Sequence, residues 1–86
     1  MLSLKSKSVI ISGGSKGIGK AIALTFAKAG ANVVICSRKK NNLEAAVAEA
    51  KSKGLYIDAV ECNTSDSRSI NEVVDFTIQK FSSVDI

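Results

Sequence analysis

A short apolar run, Ser8-Val9-Ile10-Ile11-Ser12, breaks directly into a glycine cluster, Gly13-Gly14-Ser15-Lys16-Gly17-Ile18-Gly19, and a helical pattern begins at once. Few folds tolerate that junction. The β-branched run reads as a buried parallel strand. Glycines allow positive φ in a tight turn and leave no Cβ between the main chain and an approaching ligand. The first amides of the following helix have no intrahelical partner, and with the helix dipole they form an anion site.

The rest of the chain alternates in type. Ile18, Ala21, Ile22, Thr25, Phe26 and Ala29 recur at spacings of three and four, which predicts a helix with those residues on its apolar face and Gly30 as its stop. Asn32-Val33-Val34-Ile35-Cys36 reads as a second buried strand. A helix within residues 42–53 puts Leu43, Ala46, Val47 and Ala50 on one face. Asn41 can cap it, with Glu44 three residues on, and Gly54 ends it. Leu55 to Cys62 reads as a third strand, with Leu55, Ile57 and Ala59 alternating. Asp66 or Ser65 caps a last helix that runs to about Phe81, with Ile70, Val73, Val74, Thr77 and Phe81 facing inward. Val84-Asp85-Ile86 resembles the opening of a fourth strand. The order β-α-β-α-β-α-(β), with short loops, predicts a parallel sheet joined by right-handed crossovers. The expected fold class is α/β, a Rossmann-like parallel sheet and only the first units of a doubly wound fold. Residues 1–86 then form one small domain, or the N-terminal part of a larger one.

Charge points the same way. Residues 1–40 hold Lys5, Lys7, Lys16, Lys20, Lys28, Arg38, Lys39 and Lys40 and no acid, while all eight acids fall in residues 41–86. An anionic partner for the first half is one reading; a solvated basic surface is the other. Nucleic acid is disfavoured as that anion: there is no cluster of five or more bases, no Trp, and only one Tyr and three Phe to stack on. Cys36 and Cys62, without a histidine or a CxxC, do not suggest zinc, and both read as reduced core residues. The start, MLSLKSKS, lacks the continuous apolar stretch of a signal peptide, and no run is long enough to span a bilayer. A cytoplasmic protein is the expectation. With 86 residues, 45% apolar and 23% charged, the chain can form a core, though a small one.

In an open α/β sheet, ligands bind beyond the carboxyl ends of the strands, where the glycine cluster lies. Its spacing, G-x-x-x-G-x-G, is neither the common dinucleotide pattern nor the P-loop. A purely structural turn is the alternative, but the strand before it and the helix after it favour phosphate binding. An NAD site places an acid at the end of the second strand, for the ribose 2′-hydroxyl. Here that place reads Cys36-Ser37-Arg38-Lys39. A carboxylate would repel a 2′-phosphate, whereas Arg38 and Ser37 could bind one, with Lys16 adding a second charge. NADP(H) is favoured over NAD(H). An exposed strand-end charge pair remains the alternative reading of Arg38 and Lys39.

Ser12-Gly13-Gly14-Ser15-Lys16-Gly17-Ile18-Gly19 resembles the T-G-x-x-x-G-x-G signature of the short-chain dehydrogenases/reductases. Ala31 to Arg38 looks like the NADP-preferring form of that family's second strand. Cys62-Asn63-Thr64-Ser65-Asp66 is similar to its C-D-V-S-D segment at the adenine pocket, and Val84-Asp85-Ile86 to the V-D-I that opens its fourth strand. The resemblance implies a cofactor-binding set of Ser12, Gly13, Ser15, Lys16, Gly17, Ile18, Gly19, Ser37, Arg38, Asn63 and Thr64. Asn63 stands where aspartate is usual; its amide oxygen could still accept from the adenine amino group. Thr64 replaces an apolar residue whose backbone amide does the work, and Ser12 keeps the hydroxyl of the usual threonine.

For the full-length family the resemblance implies hydride transfer between nicotinamide and an alcohol or carbonyl carbon, with a tyrosine as acid/base beside a lysine. It also implies a homo-oligomer. Family members run to roughly 250 residues, and their Asn-Asn-Ala-Gly segment and Ser and Tyr-x-x-x-Lys residues have no match in these 86. Tyr56 is no substitute, because Val60 lies four residues on where lysine is required. No catalytic residue and no metal ligand is expected, and the chain as given is expected to be inactive alone. A non-catalytic nucleotide-binding or interaction module ending at residue 86 is the alternative.

Overall fold

The computed structural model describes residues 4–13, 17–63, 65–82 and 84–85. Its order is β1 (Ser8–Ser12), α1 (Gly17–Lys28), β2 (Asn32–Ser37), α2 (Lys40–Ser52), β3 (Ile57–Glu61) and α3 (Ser67–Phe81). The strands form one parallel sheet in the order β1-β2-β3, with Ser8 opposite Asn32 and Val33 opposite Ile57. This is the Rossmann-like α/β arrangement that the alternation of strand and helix predicts.

The central strand explains why its sequence is a continuous apolar run. Val33, Val34, Ile35 and Cys36 are all buried because helices cover both faces. Successive side chains point to opposite faces. Val9, Val33, Ile35 and Ile57 pack with Ala23 of α1 and Leu43, Ala46 and Ala50 of α2. Val34, Cys36 and Cys62 pack with Val73 of α3 on the other face, joined by Ile10, Val60, Phe76 and Phe81.

Four details depart from expectation. First, α1 turns inward on Ala23, Leu24, Phe26 and Ala27, whereas Ile18 is 81% exposed and Ile22 42%. Apolar residues lie on both sides of this helix, so spacing alone could not choose the face. Second, α2 starts at Lys40, two residues before the start that an Asn41 cap would give. Lys39 is its N-cap, in extended conformation and without a side-chain bond, so Asn41 lies inside the first turn. Third, β3 is limited to Ile57–Glu61, and Ala59 is exposed because the outer flank of α2 leaves that edge open. Fourth, Val84 and Asp85 form no strand, yet Asp85 sits against β1: its amide donates to the Ser8 carbonyl, and its carboxylate accepts from the Ser8 amide, both at 2.9 Å.

Helix α3 follows its cap and length signals, but Ile70 of the expected inner face is 42% exposed, because it lies in the first turn beyond the edge of the sheet. Asp66 caps it by accepting from the Arg68 amide at 2.9 Å, and Val73 and Thr77 are buried. Near its end the Lys80 ammonium donates to Asp58 of β3 at 2.8 Å and lies within 5.5 to 5.9 Å of the ring centres of Tyr56, Phe76 and Phe81. That contact holds the Lys80 pKa above its ordinary value, the hydrogen bond to Asp58 being the main cause. Tyr56 stands just outside β3, 69% exposed, with its hydroxyl donating to Asp58.

Candidate functional site

The carboxyl ends of all three strands converge on one rim. A cavity of about 270 Å³ opens there, lined by Ser12 and Gly13 from β1, Cys36, Ser37, Arg38 and Lys39 from β2, and Cys62 after β3. Four of the expected residues, Ser12, Gly13, Ser37 and Arg38, therefore meet at one place. Gly17, Ile18 and Gly19 form the first turn of α1, which β1 and its turn lead into. Ser15, Lys16 and Thr64 lie outside the described residues.

Two glycines of the corner, Gly13 and Gly17, have the positive φ that a tight turn requires. Gly13 has φ +72° and Gly17 φ +55°, and a Cβ built on either would meet nothing within 4 Å. The space beside both is open, which leaves room for a diphosphate approached by bare main chain. No acidic residue occupies the first turn of α1, so nothing opposes an anion at its positive end. Gly13 contributes its shape but not its amide, which donates to the Cys36 carbonyl at 2.9 Å and extends the β1–β2 ladder. Among the described residues, the donors left to grip an anion are those of the first turn of α1.

The second strand ends in a small built turn. The Ser37 hydroxyl accepts from the Lys39 amide at 3.2 Å, and its own O–H remains a donor. Arg38 and Lys39 face the cavity with no carboxylate among its lining residues. The charge asymmetry of the sequence is partly spent elsewhere: Lys20 pairs with Glu49 at 2.8 Å and fastens α1 to α2. Lys20 and then Lys53 hold the Glu49 carboxyl below its usual range.

Asn63 is held by its own loop. Its amide oxygen accepts from both the amide and the hydroxyl of Ser65, at 3.0 and 2.6 Å. The loop thus engages the same oxygen that the sequence offers to an adenine amino group. Cys36 and Cys62 are the reduced core residues that the sequence suggests, but their place at this rim was not anticipated. They are free, buried and adjacent, and both form the floor of the cavity. Burial, then the neighbouring Cys62 thiol, pushes the Cys36 pKa up to about 12, against a lowering by the Ser12 hydroxyl. The position of each cysteine at a strand's carboxyl end was a signal that could have placed it here. Among the described residues no helix is long and apolar enough to cross a membrane.

Comparison with known proteins finds the same arrangement elsewhere. A family model described as short chain dehydrogenase matches residues 7–86. A curated relative named Short-chain dehydrogenase/reductase SDRA, from Arabidopsis thaliana, is 37% identical over 83 residues, covering 96% of this chain and 33% of the relative. Tropinone reductase-like 3 from Erythroxylum coca is 35% identical over 82 residues, covering 95% and 32%. Among solved structures, the hydroxysteroid dehydrogenase of Escherichia coli superposes with a TM-score of 0.89 at 36% identity, covering 96% of this chain and 35% of that one. The chain thus spans about a third of the length of the relatives it matches.

Proposed function

This chain belongs to the short-chain dehydrogenase/reductase family, and we propose on that basis that it forms the cofactor-gripping part of an NADP(H)-dependent oxidoreductase. The family is one of oxidoreductases. In the reading adopted here, residues 1–86 are the N-terminal part of a single Rossmann domain. The substrate is a small alcohol or carbonyl compound, and the catalytic residues lie outside these 86. When bound, the dinucleotide supplies the hydride-carrying nicotinamide; the residues of this chain hold its other end.

Ser12 and Gly13 shape the corner, the turn at Gly17, Ile18 and Gly19 offers main-chain donors to the diphosphate, and Ser15 and Lys16 complete the loop. Ser37 and Arg38 bind the 2′-phosphate, while Asn63 and Thr64 border the adenine. A cytoplasmic homo-oligomer is the expected setting of the whole protein.

One observation carries the cofactor choice: Arg38 lines the strand-end cavity and no carboxylate does. A guanidinium is matched to a phosphate in geometry as well as charge. Replacing it should be read by the dissociation constants of NADPH and NADH. Arg38→Asp is expected to weaken NADPH binding about tenfold to a hundredfold, the loss of one hydrogen bond to a charged group, and to leave NADH unchanged or tighter. An unchanged preference would defeat the assignment.

A further inference from the structure

Cys36, near the end of β2, and Cys62, just past β3, are the only cysteines of the 86 residues, which include no histidine. Each is 4% exposed, and they pack together on one face of the sheet with Val34 and Val73. The two thiols are hydrogen-bonded to each other, and the Ser12 hydroxyl also bonds Cys36.

Sheet register argues against a disulfide. Cys36 lies opposite Val60, so Cys62 stands two places further along the neighbouring chain segment. Diagonal neighbours on adjacent strands have Cα atoms about 7–8 Å apart, at or beyond what a disulfide spans. The number of ligands argues against zinc. Its structural sites take four, and among the described residues no group of three or more His, Cys, Asp or Glu could hold a metal. Two sulfurs and nothing more are the donor set of a soft, two-coordinate d¹⁰ cation. We propose that Cys36 and Cys62 bind one copper(I) ion between their sulfurs.

The surroundings suit that ion. Thiolates are the soft ligands that select copper(I) over harder cations, and Ile10, Val34 and Val73 surround the pair with apolar groups that offer a hard ion no oxygen. A linear S–Cu–S unit spans little more than an S–H···S contact, so neither strand need move far. The bis-thiolate complex is an anion. Arg38 and Lys39 line the cavity whose floor the sulfurs form, and no carboxylate does, so its charge is compensated. On binding, two S–H bonds break, two S–Cu bonds form from the sulfur electron pairs, and both protons pass to solvent with no change of oxidation state. The ion displaces the protons itself, so it does not need the preformed thiolate that an alkylating reagent needs. The site requires only the two sulfurs and no particular cofactor at the rim.

Anaerobic titration of the reduced chain with copper(I) held as its bicinchoninate complex tests this. The chain should withdraw one equivalent, read as loss of the chelator's colour, and release two protons per ion into a weakly buffered solution near pH 7. Cys36→Ser and Cys62→Ser should each weaken retention by more than about a hundredfold, the upper range for losing even an outer-shell partner of a metal site. Urea midpoints check that each variant is folded, and Cys36→Ala and Cys62→Ala serve where a buried hydroxyl is not tolerated. No copper withdrawn by the unaltered chain, half an equivalent shared between two chains, uptake without proton release, or uptake unchanged in a folded single variant would overturn the proposal.

Discussion

Asn63 shows how a loop can engage the one atom on which a proposed contact depends. Its oxygen is bound by Ser65 in an Asx turn, so the loop settles which end of the amide faces outward. An aspartate there could serve the turn with one oxygen and an adenine amino group with the other. Asn63→Asp is therefore expected to tighten NADPH about threefold to tenfold, one net hydrogen bond. It should tighten the hypoxanthine analogue less, because that base offers a carbonyl where adenine offers the amino group. Equal changes for both would place Asn63 away from the base. The type and spacing of Asn63 were legible in the sequence; the bonds that commit its oxygen were not, because they depend on loop geometry.

Cys36 makes a second residue-scale prediction. A thiol whose pKa is raised to about 12 from an ordinary 9.0 is ionised more readily in the unfolded chain than in the fold. Stability is then whole below pH 9 and falls as the pH rises from 9 toward 12. Urea midpoints measured over that interval should decline, and Cys36→Ala should flatten the decline. Lys80 loses its own stabilising charge above its raised pKa, so a residual slope in Cys36→Ala belongs to that pair. At pH 8 the folded chain should leave Cys36 unalkylated by iodoacetamide; rapid labelling of the native protein would contradict its burial.

At the scale of elements, legibility followed the signals that act locally. Gly30 and Gly54 adopt positive φ, +98° and +73°, and end α1 and α2 where a side chain would be strained. The cap of α3 is equally local. Asp66→Ala should cost about 1 kcal/mol, read as a lower urea midpoint with an unchanged slope; no change would mean that the Arg68 amide finds another acceptor. The face of α1 was not legible, because Ile18 and Ile22 on one side compete with Ala23, Leu24 and Ala27 on the other. Only the sheet decides between them. The start of α2 was obscured for a related reason: Lys39 and Lys40 resemble a solvated loop, yet the helix closes on the Lys39 carbonyl through the amides of Asn42 and Leu43.

For the whole molecule, the alternation of strand and helix and the glycine-rich corner carry the fold, and the corner is where the cofactor grip is proposed. What lay outside the sequence pattern is the meeting of distant ends: Cys62 beside Cys36, Arg38 across from Gly13, and Asp85 against Ser8. These follow from sheet register, which periodicity does not encode. The cofactor grip is tested most directly by following backbone amide resonances during NADPH titration. The amides of Gly17, Ile18 and Gly19 should shift furthest with Arg38 close behind, while Gly30 and Gly54 at the opposite end stay still. Saturable binding that moves other amides and leaves the α1 turn untouched, or no binding at all in a folded chain, would contradict a diphosphate site at this corner.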